Sequence, residues 1–158
     1  MGTFYNKEAE SLFKRSIEIF PANFDAYYNL SAHARRMGDT LKSKSYLYKC
    51  LEYAPNYKNA LYDLASIYVN TNKSDSALFF LDKIVPEGAD YQVVCELYFI
   101  IYYNKSDFNK ALVYAEKGIK MDPENPGSYL DKAGALMSLG DTVGSLEYVE
   151  RYKKLEKH

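Results

Sequence analysis

A chain of 158 residues with a net charge of −1 suits one domain or one array of small repeated units, and that balance gives no electrostatic ground for binding nucleic acid or an anionic membrane. No apolar run approaches the length that spans a bilayer, no basic-then-apolar leader opens the chain, and in "MGTFYN" Asn6 stands where an acylation site needs Ser or Thr. Two cysteines, Cys50 and Cys95, have no Cys or His at ligand spacing and read as small core residues, while 17 tyrosines beside no tryptophan read as large packing residues with a polar tip.

In chain order, the first predicted element is a helix over 5–19, carrying Ala9, Phe13 and Ile17. Helix pairs follow over 24–37 with 40–53, 58–70 with 74–85, 91–104 with 107–120, and 126–139 with 142–156. Apolar residues recur at i, i+3, i+4 and i+7, the spacing of an amphipathic helix, and no strand-like alternation lasts long enough to compete. The pairs repeat every 34 residues. A small residue returns at Ala9, Ser43, Ala77, Ala111 and Ser145, followed four positions later by Phe13, Leu47, Leu81, Ala115 and Val149. The first helices share phases of their own: Tyr27, Leu61, Cys95 and Tyr129, then Leu30, Leu64, Tyr98 and Lys132, then Ser31, Ala65, Phe99 and Ala133. One helix pair cannot cover its own apolar face, so neighbouring pairs must stack.

Prolines at 21, 55, 86, 123 and 126 fall at unit junctions, where they spare helix interiors. Gly38 and Gly140 sit in turns and can supply the left-handed conformation that ends a helix. The tetrapeptide NKSD occurs at 72–75 and 104–107, but its copies are 32 residues apart and miss the period. The recurrence in phase is Asp39, Asp107 and Asp141, each expected to cap the second helix of its pair, with Ser74 or Asp75 serving in the second unit. Pro86 arrives three residues before the phase of Ala89, so that second helix should end early and the linker 87–90 should be looser. Sequons at Asn29, Asn72 and Asn104 read as coincidence in a chain rich in Asn and Ser.

Units built in this way, with Tyr27, Leu30, Ser31, Gly38, Leu51 and Pro55 in the first and Tyr102, Ala111 and Pro123 in the third, resemble the tetratricopeptide repeat from about residue 5 onward. The resemblance implies an all-α, right-handed superhelical solenoid of antiparallel helix pairs. It implies a single array over 1–158, with repeats at 24–57, 58–91, 92–125 and 126–158 behind the leading helix, and first helices lining a concave groove. Departures from the pattern include Lys132 at a usual Leu, Phe99 at a usual small residue, Ala34 at a usual Tyr, and Tyr152 and Lys153 in phases that are small and apolar in earlier units. The leading helix has the phase of a second helix without its partner. An excised segment, or an array that packs end to end, is therefore expected rather than a monomer that exposes Phe4, Phe13 and Ile17.

Chemistry-bearing residues form no catalytic constellation. His33 reads as a surface or groove residue beside Arg35 and Arg36, and His158 is terminal. There is no glycine-rich phosphate loop, metal-ligand spacing or nucleophile elbow, so no enzyme activity, metal or cofactor is expected. The resemblance implies instead a protein–protein interaction module that binds a peptide or partner-protein segment in the groove. Its groove positions are Asp25, Tyr28, Asn29, Arg35 and Arg36, then Asn59, Tyr62, Asp63, Ser66 and Asn70, then Glu96, Ile100, Tyr103, Asn104 and Asp131. Chaperone-binding members of the family hold a C-terminal carboxylate with a clamp of Lys, Asn and Arg. Tyr28, Ala32, Asp63, Val93 and Leu97 occupy those places here, so the clamp is absent.

The acids Asp25, Asp63, Glu96 and Asp131, interleaved with Tyr28, Tyr62 and Tyr103, suit a segment with basic and apolar residues. Asp25 also suits the positive end of its helix for dipole reasons alone. The alternatives are a scaffold that self-associates through exposed end helices, and a regulatory segment of a larger signalling protein. Unpaired cysteines and the missing leader favour an intracellular setting, although a fragment would lack a leader too.

Overall fold

The computed structural model describes residues 2–84 and 92–157, with side chains described at 8–84 and 94–157. The described residues form α1 (Gly2–Ile19), α2 (Phe24–Arg36), α3 (Thr40–Tyr53), α4 (Lys58–Asn70), α5 (Ser74–Ile84), α6 (Gln92–Asn104), α7 (Phe108–Met121), α8 (Pro126–Ser138) and α9 (Thr142–Leu155), with no strand among them. The fold is an all-α helical repeat of the solenoid class, and each helix lies within three residues of its expected bounds. Two compact units divide the chain, Met1–Ile84 and Val85–His158. Within the first, α1 packs on α2, α2 on α3, α3 on α4 and α4 on α5; within the second, α6 packs on α7, α7 on α8 and α8 on α9. Pro86, Ala89, the linker 87–90, His158 and the side chains of Phe4 and Val93 lie outside the described residues. No helix among the described residues is long and apolar enough to cross a membrane.

The 34-residue columns are the core. Ser43, Ala77, Ala111 and Ser145 are at most 2% exposed, which lets the helices of each pair approach closely. Leu30, Leu47, Leu61, Leu64 and Leu81, at most 1% exposed, fill the first unit, and Cys50 and Cys95 are buried cysteines outside any disulfide. Burial pushes the Cys50 thiol up to about 11, so it stays protonated and unreactive. Tyrosines serve as packing plates: Tyr98 stacks on Tyr114 at 4.5 Å between centroids, and Tyr114 on Tyr102 at 5.6 Å.

The departures from the repeat pattern are compensated by neighbours. Phe99 is buried against Ala111, Ala115 and Ala135. Ala115 occupies the phase that holds Leu47 and Leu81 in the first unit, where Ser31 and Ala65 stand in place of Phe99. Bulk has thus moved from the second helix to the first, leaving the layer filled. Lys132 keeps its aliphatic stem half-buried while its ammonium meets Glu116 Oε1 at 2.8 Å and lies 4.4 Å above the Tyr148 ring.

Each turn inside a pair is one motif built from different residues. Gly38, Asn72, Ser106 and Gly140, spaced by 34, all adopt positive φ, at 77°, 55°, 58° and 88°. The next residue closes the helix by donating its N–H five residues back, from Asp39 to Ala34 O, Lys73 to Tyr68 O, Asp107 to Tyr102 O and Asp141 to Leu136 O, each at 2.9 Å. The aspartates then cap the following helix, their Oδ1 atoms accepting from Lys42 N at 2.9 Å, Lys110 N at 3.2 Å and Gly144 N at 2.8 Å. In the second unit Asp75 lies in the first turn of α5. NKSD therefore places Asn72, its first residue, and Ser106, its third, at the same left-handed station. Serine is the least suited of the four occupants. Ser106→Gly is expected to raise stability by about 0.5–1 kcal/mol in urea unfolding, and Gly38→Ala to lower it by about 1 kcal/mol; no change at Ser106 would mean that the turn carries no strain.

One expectation fails where α1 lands. His33 is 8% exposed rather than on the surface, because α1 covers it and brings Glu10 Oε2 to 3.7 Å from Nδ1. Glu10 also holds Lys14 at 2.8 Å and Lys42 at 3.8 Å. Phe13 and Ile17 are half-buried, since that face of α1 is the one turned to α2.

Candidate functional site

Each unit gathers a polar cluster from groove positions on its first helices. In the first, Arg35 in the last turn of α2 reaches across to α4, Nη1 donating to Asp63 Oδ1 at 2.9 Å. Asp63 is 6% exposed. Burial pushes its carboxyl above the usual range, and the Arg35 guanidinium pulls part of that back. Tyr28 stands beside them, its ring edge-on to Tyr57 at 5.3 Å. Its hydroxyl is pushed up by burial and then by the Asp63 charge. The Tyr28 hydroxyl donates toward the Asp63 carboxylate and helps to steady its charge.

Arg35, Asp63, Ser66 and Asn70 line a single cavity of about 310 Å³. Thr40, Ser43, Ile67 and Thr71 complete its wall. Sequence reasoning missed these four as site residues. Ser43 carried one signal, a hydroxyl in a column otherwise filled by alanine and one further serine; nothing in the pattern marked the others.

In the second unit Glu96 in α6 faces Asp131 in α8. Burial, and then the Glu96 charge, push the Asp131 carboxyl up to about 7. Asn125 caps α8 by accepting from Gly127 N at 2.9 Å and gives Nδ2 to Glu96 Oε1 at 3.3 Å. Tyr103 turns toward α8 as well: its hydroxyl lies 3.0 Å from Ser138 Oγ, and its ring meets Phe108 at 5.3 Å. Gly134 opens this path, since a Cβ there would sit 3.9 Å from the Tyr103 ring.

The remaining groove positions are not drawn together. Asp25, Asn29, Arg36, Asn59 and Asn104 are exposed, Ile100 is 39% exposed and Tyr62 is half-buried. Asn29 bonds its own helix, Nδ2 donating to Asp25 O at 2.8 Å. Leu97 is 6% exposed and belongs to the core rather than the groove. The four acids are therefore not a run of free negative charge. Asp25 is open, Asp63 is buried and paired, and Asp131 holds its proton up to about pH 7. Among the described residues no group of three or more His, Cys, Asp or Glu side chains could hold a metal ion. What these clusters offer chemically is hydrogen bonding and charge.

Family models for the tetratricopeptide repeat match residues 34–94 and 100–125. Anaphase-promoting complex subunit 3 of Schizosaccharomyces pombe is 25% identical over 151 residues, 95% of this chain; the chain spans 23% of that subunit's length. MamA from Desulfovibrio magneticus RS-1 superposes with a TM-score of 0.87 at 18% identity, covering 96% of this chain and 86% of that one. YrrB, described as a TPR protein with an unusual peptide-binding site, superposes with a TM-score of 0.82 at 14% identity, covering 99% and 80%.

Proposed function

The chain belongs to the tetratricopeptide repeat family, and we propose that it works as a protein–protein interaction module holding a peptide or partner-protein segment along a groove lined by the first helices of a single array. The observation that carries this reading is the convergence of Arg35, Asp63, Ser66 and Asn70, four groove positions from two successive first helices, on one cavity. In the second unit, taken by itself, Glu96 with Asp131 offers a point suited to a basic residue whose charge would draw the proton from Asp131. Half-buried Tyr62 adds apolar surface in the first unit, and exposed Ile100 does so in the second. The likeness to one subunit of a multisubunit complex and to a peptide-binding repeat protein supports a role in holding partners.

The test uses dodecapeptides selected from a displayed random library against the whole chain. Tyr62→Ala with Asp63→Lys is expected to weaken the selected peptides at least about ten-fold, with the helical circular dichroism unchanged. Should the buried Asp63→Lys change unfold the first unit, Ile100→Glu at an exposed groove position takes its place. Unaltered affinity in the folded variants removes the groove reading.

A second reading is self-association through the end helices. Leu12, Ile19 and Phe20 are 64%, 76% and 60% exposed at one end, and Val143 and Leu146 are 81% and 57% exposed at the other. Mass in solution that stays monomeric across a hundred-fold range of concentration would eliminate it.

A further inference from the structure

The first unit carries another cavity, of about 460 Å³, between α3, α4 and α5, and none of its lining residues is a groove position. Four of them are aromatic: Tyr48, Tyr68, Phe79 and Phe80. Phe80 is buried and Tyr68 stacks on it at 5.7 Å, as core residues do. Tyr48 and Phe79 behave differently. They are 42% and 57% exposed, and each meets Phe80 edge-on, at 6.1 and 5.2 Å. Helix packing does not call for either ring. In the later pairs the station of Tyr48 carries Asp82, Glu116 and Glu150, and that of Phe79 carries Ser45, Val113 and Glu147 in the other three. Rings left open to water at stations where other pairs carry acids mark a surface that something else covers.

We infer that this cavity takes one aromatic side chain of a partner segment, flanked there by acidic residues. The flanking charge follows from two lysines. Lys44 Nζ lies 5.2 Å from the centre of the Tyr68 ring, and Lys83 Nζ lies 4.4 Å from that of Phe79. Among the described residues each ammonium meets a ring face and no carboxylate. An incoming lysine or arginine would meet both charges, whereas an acid beside the anchor is drawn to them. Asp75 is the single carboxylate on the wall, and it lies in the first turn of α5, where the positive end of the helix offsets its charge. The anchor follows from the rings, since an aromatic side chain gains edge-to-face contacts with Tyr48 and Phe79 that an aliphatic one lacks. The Tyr48 and Tyr68 hydroxyls lie 2.6 Å apart. One donates to the other, which leaves the second O–H for a backbone carbonyl of the segment.

The probes are acetylated pentapeptide amides, titrated into the ¹⁵N-labelled whole chain: phenylalanine, leucine or alanine between pairs of glutamates, and phenylalanine between pairs of lysines. The glutamate-flanked phenylalanine peptide is expected to shift the backbone amides of Tyr48, Ser76, Phe79 and Phe80. It should bind about ten-fold more tightly than the alanine and lysine-flanked peptides, and about three-fold more tightly than the leucine peptide. Phe79→Gln should abolish that binding at unchanged helical circular dichroism. If Phe79→Gln perturbs the fold, Lys44→Gln with Lys83→Gln, which removes no ring, is read instead and should erase the preference for glutamate over lysine. Tighter binding of the lysine-flanked peptide, equal binding of the leucine peptide, or no shift with any of the four overturns the inference. So do shifts at the same amides when the peptide-free chain is concentrated, which would make a second copy the occupant. The groove reading stands or falls separately, on the selected peptides and the Tyr62, Asp63 and Ile100 variants.

Discussion

Phe99→Ala is expected to destabilise the α6–α9 unit by about 3–5 kcal/mol, and Ala115→Leu by about 1–3 kcal/mol, yet the two changes together should cost clearly less than their sum. Phe99 and the alanines around it share one packed space. Removing the ring opens a cavity, and adding a leucine beside the ring overfills the layer. Made together, the changes recreate the arrangement of the first unit, where Ala65 stands in the Phe99 phase and Leu81 in the Ala115 phase. Urea unfolding of the four proteins of the cycle measures the coupling, which should favour the double variant by about 1–3 kcal/mol. Strict additivity would show that the two positions do not exchange volume.

Asp131→Asn is expected to stabilise the fold by about 2 kcal/mol at pH 8 and to change little at pH 3.5. The folded carboxyl titrates near 7 against an ordinary 3.8, because burial and then Glu96 oppose its charge. Below 3.8 the proton is bound in both states and the site costs nothing. Between 3.8 and about 7 the unfolded chain loses the proton while the folded one keeps it, so stability falls as pH rises through this window and levels off above it. The full displacement corresponds to about 4 kcal/mol, reduced here to about 2 by the site's remaining contact with water. Unfolding midpoints of both proteins from pH 3.5 to 8 read the effect, and a difference that does not change with pH would show that Asp131 ionises as freely as it does in water. The same proton links function to pH. A lysine or arginine docking beside Glu96 and Asp131 must release it, so such segments should bind more tightly at pH 8 than at pH 6.

The helices, their pairing and their caps were legible because each depends on residues close in sequence. A 3.6-residue apolar face, an aspartate before a second helix and a proline between units act locally. The 34-residue period then assigns Ser43, Ala77, Ala111 and Ser145 to helix crossings without reference to any contact. Legibility already weakened inside the turns. Gly38 and Gly140 announced the left-handed station, but Asn72 and Ser106 occupy it because the closing hydrogen bonds demand it, whatever residue is there.

The site was legible only as a set of directions. Groove-facing phases of α2 and α4 identified Arg35, Asp63, Ser66 and Asn70, while their meeting in one cavity depends on where the two helices cross. His33 was misplaced because burial at that position comes from α1, which the pattern of α2 cannot report. The charge state of an acid is likewise set by what lies opposite: Arg35 for Asp63, Glu96 for Asp131. The sequence by itself thus determined the repeat, the helix boundaries, the crossing residues and the caps, all of them consequences of short-range periodicity and backbone hydrogen bonding. Only the tertiary structure decided which polar atoms are buried, paired or left unpaired, because desolvation and Coulomb energy depend on distances between helices far apart along the chain.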